Sequence, residues 1–101
     1  MVETARVTLV TVIAAFELEE RLVGDLTGLG VKGYMTGKVQ GRGMHGPRMA
    51  GLVDATDMRI EMLVAPAVAR RVLERIANKY ANQPIMAFVH DVEAMPRESF
   101  P

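Results

Sequence analysis

Four basic residues, Lys32, Lys38, Arg42 and Arg48, stand between Asp25 and Asp54 with no acidic residue among them. They sit on glycine-rich backbone: all nine glycines of the chain fall between Gly24 and Gly51, most of them in "GYMTGKVQGRGMHGPRMAG", residues 33–51. One chemistry this suits is anion binding. Backbone N–H groups of closely spaced glycines can converge into a nest, and Arg42 or Arg48 can close it with charge-assisted hydrogen bonds. The pattern is not the dinucleotide fingerprint, because Gly41-Arg42-Gly43 lacks the third glycine at the required place and precedes no helix. Nor does a Gly-Lys-Ser/Thr follow, so it is not a nucleoside-triphosphatase phosphate loop. A second chemistry is metal binding. His45 and His90 are the only histidines and there is no cysteine, so a metal site would need carboxylates brought in by the fold. Without them His45 reads as an exposed loop residue, and His90, beside Asp91, as a sheet-surface side chain. The third possibility is a basic hairpin tip that holds no ligand. No Ser/His/Asp set and no paired catalytic carboxylates emerge, so nothing supports an enzyme.

The totals narrow the field further. A chain of 101 residues, half of them hydrophobic, predicts one domain over residues 1–101 with a full core. Twelve basic residues balance twelve acidic ones, which argues against a general nucleic-acid binder and is compatible with self-association. The absence of cysteine excludes disulfides, thiolate metal sites and cysteine nucleophiles. With no apolar run of membrane-spanning length and no signal-peptide pattern, the expected location is cytoplasmic. Eight methionines and no tryptophan describe an adaptable core with few aromatic anchors.

The elements that must carry the basic segment are readable from periodicity. "RVTLVTVI", residues 6–13, is β-branched and roughly alternating, with Val7, Leu9 and Thr11 on one side: a first strand. In "FELEERLVGDLTGLG", Leu18, Leu22, Leu26 and Leu29 recur at helical spacing, acidic residues crowd the first turn, and Gly30 is placed to cap the end. Gly24, inside that helix, suggests a close approach by a neighbour. A second strand is expected over residues 32–40, then a loop over about 41–53. Residues 52–64 predict a third strand in which Met58, Ile60, Met62 and Val64 alternate with Arg59, Glu61 and Leu63. Pro66 suits the first turn of a second helix, in which Val68, Val72, Ile76 and Tyr80 recur every fourth residue. "IMAFVHDV" is the fourth strand, and the proline-containing tail, about 93–101, is expected to be irregular.

The order β-α-β-β-α-β predicts an α+β, ferredoxin-like sandwich, with two helices on one face of a four-stranded antiparallel sheet. The other face has no helix to cover it, yet the fourth strand is apolar on both sides: Ile85, Ala87 and Val89 on one, Met86 and Phe88 on the other. Oligomerisation through the open face is the economical answer.

A chain with this order, opening "VTLVTVIAAFELEERLVGDLTGLGVKGYMTGKVQGRG", resembles the PII signal-transduction proteins over nearly its full length. "LVTVI" resembles that family's first strand, and "GV-GYMTGKVQGRG" its second strand and the start of its long T-loop. The resemblance implies a homotrimer with adenine nucleotides in the clefts between subunits and a T-loop that docks on a target protein. Departures refine it. The loop is short and has no tyrosine, so the family's uridylylation site has no counterpart. His45 stands at the position resembling the glutamine used for metal and 2-oxoglutarate. Ala81-Asn82-Gln83-Pro84 replaces a phosphate-gripping loop rich in glycine and lysine, which implies ADP or AMP rather than a clamped triphosphate.

These departures resemble the PII-like proteins of inorganic-carbon handling, especially the carboxysome-associated, bicarbonate-responsive group. On that resemblance Gly33, Met35 and Val64 hold the base and ribose, Gly41 and Gly43 belong to the nucleotide site, and Arg97 meets phosphate. Arg42, Gly43, His45 and Arg48 would hold bicarbonate, a planar anion that a guanidinium can bind bidentately. The implied role is non-enzymatic: a regulator reporting carbon and energy status to a protein partner, such as a carbon-uptake transporter or a carboxysome component. Two other readings stay open, a trimeric divalent-metal binder using His45 or His90, and an interaction module whose loop binds only protein.

Overall fold

The structure, a computed structural model, describes residues 1–40, 42–43, 46–47 and 57–100. In chain order come strand β1 (Ala5–Ala15), a 3-10 turn (Phe16–Leu18), helix α1 (Glu19–Gly28), strand β2 (Met35–Val39), short strands β3 (Arg42–Gly43) and β4 (Gly46–Pro47), strand β5 (Asp57–Val64), helix α2 (Pro66–Lys79), strand β6 (Ile85–Ala94) and a second 3-10 turn (Arg97–Ser99). The four long strands form one sheet in the order β2-β5-β1-β6, with every neighbouring pair antiparallel. This is the ferredoxin-like arrangement that the pattern predicts. β3 and β4 pair separately, Arg42 with Pro47 and Gly43 with Gly46. The rest of the expected loop, Gly41, His45 and Arg48 among it, and residues 52–56 of the expected third strand lie outside the described residues.

Register decides which side chains share a face. Val10 pairs with Met62, Val12 with Ile60 and Ala14 with Met58, and these residues join Leu22 and Leu26 of α1 and Ala69, Val72 and Ile76 of α2 in one core. The helices therefore cover that face. The intervening residues, Leu9 paired with Leu63 and Thr11 with Glu61, point the other way, where no helix packs among the described residues. The alternation read from residues 58–64 matches the burial of β5, in which Met58, Ile60, Met62 and Val64 are buried while Arg59 and Leu63 are exposed.

The end of α1 follows from Gly30. Its φ of 97° lies in the left-handed region open to glycine. Gly30 N–H donates to the Thr27 carbonyl at 3.2 Å, and Val31 N–H reaches back to the Leu26 carbonyl at 3.1 Å. That is the Schellman pair of bonds, completed by the buried contact of Val31 and Leu26 in the core. The first helix opens as a 3-10 turn rather than as α-helix from Phe16. Gly24 does not mark close packing: a Cβ there would meet nothing within 4 Å.

The two helices are tied by one buried-edge cluster. Tyr80 Oη donates to Asp25 Oδ2, Lys79 Nζ donates to Asp25 Oδ1 at 2.9 Å, and Arg75 Nη1 lies 3.5 Å from the same oxygen. Burial works against the Asp25 charge, but the Tyr80 hydrogen bond and the Lys79 and Arg75 cations outweigh it and leave its carboxyl below the ordinary 3.8. Tyr80, 1% exposed, is pushed up to about 12, by burial first and then by the adjacent carboxylate.

Two further differences concern the chain ends of strands. β6 runs on through Ala94, and Arg97–Ser99 forms a 3-10 turn in the segment expected to be irregular, because Ser99 N–H and Phe100 N–H find the Pro96 and Arg97 carbonyls. β2 starts at Met35 rather than at residue 32. Val31 is drawn into the core by the helix cap, so the chain reaches the sheet edge only at Met35.

Candidate functional site: a cavity where the second strand stops short

The late start of β2 has a structural consequence. Met35 pairs with Glu61, and continuing that register backward would have set Tyr34 opposite Met62, Gly33 opposite Leu63 and Lys32 opposite Val64. Instead residues 30–34 swing away from the last residues of β5. The gap between them is a cavity of about 720 Å³. Its wall is assembled from Val7 and Leu9 of β1, the Gly30–Met35 connection, the end of β5 with Ala65, Val68 of α2, and Ser99 and Phe100 of the tail. Most of these side chains are apolar. The charged ones are Lys32 and Glu61.

Glu61 is already engaged. It accepts a hydrogen bond from Thr11 Oγ1 at 3.1 Å and lies 3.8 Å from Arg59 Nε. Lys32 has no carboxylate partner among the described residues. Gly33 keeps the wall low, since a Cβ there would meet nothing within 4 Å. What this arrangement can do is hold a flat apolar body between the strand end and the connection, with a cation at its margin.

The site residues expected from the sequence divide into three groups. Gly33, Met35 and Val64 come together in the cavity wall. Arg97 does not line it. It lies two residues before Ser99, exposed, with Nη1 3.3 Å from Glu3 Oε1. Arg42 and Gly43 belong to β3 of the separate hairpin, and Gly41, His45 and Arg48 lie outside the described residues. His90 is exposed on the open face, cross-strand from Leu9 and with its ring centroid 6.0 Å from that of Phe88. Among the described residues no three His, Cys, Asp or Glu side chains gather as a metal site.

Sequence reasoning missed Lys32, Tyr34 and Phe100 as wall residues. Lys32 carried a signal, since it begins the run of uncompensated basic residues. Phe100 carried none, in a tail whose prolines conceal its return to the fold.

The cavity wall includes Leu9, Met35, Glu61 and Leu63 of the uncovered sheet face, beside Met62, Val64 and Val68 from the helix side. The uncovered face is apolar over much of its area: Met35 is 69%, Met86 43% and Phe88 42% exposed. No helix of the described residues is long and apolar enough to cross a membrane.

The model of the family "Nitrogen regulatory protein P-II" matches residues 7–98. The chain belongs to the PII family. Among solved structures, a protein from Thermus thermophilus assigned to the PII-like signaling proteins is 31% identical, with a TM-score of 0.81 over 98% of this chain and 99% of that one. CPII from Thiomonas intermedia K12, bound to ADP and bicarbonate, has a TM-score of 0.79 at 23% identity, covering 93% of each chain. The same protein bound to ADP, AMP and bicarbonate gives 0.77 at 22%, covering 91% of this chain and 96% of that one. No curated protein sequence matches. PII membership accounts for the two-helix, four-strand layout and makes the chain a member of a regulatory family.

Proposed function

We propose that this chain is a non-enzymatic PII-like sensor, a single cytoplasmic domain acting as a homotrimer, which binds ADP or AMP in clefts between subunits together with bicarbonate. The observation that carries the reading is the cavity beside β5, because Gly33, Met35 and Val64 meet in its wall. Those are the three positions that the family resemblance ties to base and ribose. An apolar wall with open strand backbone suits a purine, and the volume of about 720 Å³ is that of a small-molecule site. The ligands of CPII, ADP with bicarbonate and AMP beside them, support the choice of ligands. Part of the cavity wall belongs to the apolar sheet face, so a second copy docked on that face would lie against the cavity and complete a cleft.

In this reading Arg97 leaves Glu3 for the nucleotide phosphate, a small change because an exposed ion pair contributes little. Gly41 and Gly43 approach the nucleotide, and Arg42, Gly43, His45 and Arg48 hold bicarbonate. Ligand binding alters the surface that the loop offers to a protein target, a carbon-uptake transporter or a carboxysome component. If the loop couples the two ligands, each strengthens the other by the same factor.

The test is a thermal-shift matrix of AMP, ADP, ATP and buffer, each with and without bicarbonate at fixed pH and ionic strength. A ligand at a hundred times its dissociation constant adds about 2.7 kcal/mol, which moves the midpoint by several degrees in a domain of this size. Stabilisation by ADP or AMP that grows with bicarbonate is the expected result. A flat matrix for a folded protein removes the nucleotide reading and returns the choice to metal ions or a protein partner alone.

A further inference from the structure

We propose that a second cavity, between the start of β1, the end of β6 and the first turn of α2, binds a small zwitterion of the free amino acid class, its carboxylate on Arg6 and its ammonium on Asp91. The nucleotide reading assigns this place no ligand, and the two cavities share only Val7.

The site follows from register. Thr8 pairs with Asp91, and Arg6 with Glu93, across β1 and β6. Alternate residues of a strand share a face, so Arg6 and Thr8 lie on the side of Val10 and Val12, where the core is. Pro66, the first residue of α2, joins the four in the wall of a space of about 400 Å³.

Thr8 supplies the deciding observation. It is 4% exposed, and its hydroxyl has no hydrogen-bond partner among the described residues. No side-chain oxygen sealed from solvent lacks a partner among those residues, so the Thr8 oxygen reaches the surface of the cavity that its residue lines. Polar side chains buried to this degree are ordinarily bonded within the protein. Here one donor and the acceptor lone pairs are left for a ligand.

The surrounding charges name the class of ligand. Arg6 and Asp91 share the wall, yet neither forms an ion pair, with the other or with any described residue. Glu93 is partly engaged, accepting a hydrogen bond from Thr4 Oγ1 at 2.7 Å. α2 begins with no capping side chain and no acidic residue in its first turn, so its start adds positive potential. A lone anion would therefore face Asp91, and a lone cation would face Arg6 and the helix start. A molecule that carries both charges satisfies the two together. The guanidinium offers a carboxylate two parallel N–H donors, and ionised Asp91 only accepts, which suits an ammonium. A metal ion fits less well, because among the described residues no three candidate ligand side chains gather.

The experiment is an NMR titration of the nitrogen-15-labelled full chain with glycine and L-alanine, and with acetate and methylammonium as the separate halves, at fixed pH and ionic strength. The expected result is that both amino acids shift the amide signals of Arg6, Thr8, Ala67 and Asp91, and that each half binds about tenfold more weakly or worse. Arg6→Gln and Asp91→Asn each remove one charge-assisted contact and lower glycine affinity about tenfold. Both residues are exposed, so the fold survives these changes. Thr8→Val lowers glycine affinity about fivefold, while its urea midpoint does not fall, because the lost hydroxyl has no internal partner. Acetate or methylammonium binding as well as glycine overturns the zwitterion. Absence of shifts at these amides with either amino acid overturns the site. The titrations contain no nucleotide, so neither result bears on the nucleotide reading.

Discussion

On the helix side of the sheet Val10, Val12, Ala14, Met58 and Ile60 are completely buried, whereas on the other side of the same strands Leu63, Met86 and Phe88 keep 37%, 43% and 42% of their surface exposed. Both sets come from alternate residues of β1, β5 and β6, so strand propensity does not distinguish them. The difference lies in what covers each face. α1 and α2 cover β1 and β5 on one side within the chain, although Val89 of β6 on that side stays 40% exposed. The other side has Leu9, Ile13, Met86 and Phe88 beside a polar pair, Thr11 and Glu61, bonded to each other. Arg59 and His90 share that face, but its large exposed apolar side chains, with Thr11 and Glu61 bonded to each other, suit it to contact with protein.

The sharpest way to break this comparison is to place a charge on the open face. Phe88→Asp is expected to abolish the proposed assembly and bring the mass measured by light scattering down to the 11.1 kDa of one chain, while leaving circular dichroism unchanged. Equal masses for wild type and variant would remove the trimer from the proposal. On the covered face the expectation reverses. Ile60→Ala should cost about 2–5 kcal/mol in urea denaturation through lost burial and a residual cavity, whatever the state of assembly. A cost as small as that of an exposed substitution would mean that the helices do not seal the core as described.

A smaller effect tests the lock that holds the covering helices together. The fold favours neutral Tyr80, so this contribution is complete below the ordinary tyrosine value near 10 and is lost as the pH rises from there to about 12. The upward displacement corresponds to about 2–3 kcal/mol. Tyr80→Phe should remove that alkaline decline. Asp25 acts at the other end: its lowered carboxyl stabilises the fold above the ordinary 3.8, and the contribution is lost as the pH falls through its folded value. Denaturation midpoints of wild type and Tyr80→Phe between pH 8 and 12 that run parallel would contradict the lock.

Local pattern was sufficient wherever local pattern is the cause. The alternation of Met58 to Val64, the fourfold spacing of Val68 to Tyr80 and the glycine at position 30 each report a backbone geometry directly, and the ferredoxin-like order follows from stringing them together. The start of β2 was not legible, because "VKGY" is acceptable as strand and only the tertiary demand for Val31 in the core delays pairing to Met35. The cavity was half legible. Gly33, Met35 and Val64 came from family resemblance, whereas Phe100 reaches the wall from the far end of the chain by a route that no short-range signal encodes. Gly24 taught the opposite lesson: a residue costly in a helix interior need not have a packing reason.

Leu9, Met35, Glu61 and Leu63 each serve as cavity wall and as outward sheet face. A molecule seated in the cavity and a neighbouring copy docked on the sheet would thus press on the same four side chains. Ligand titrations at micromolar and at millimolar protein should then trace different curves, the chain acting as its own effector through nothing more than its concentration.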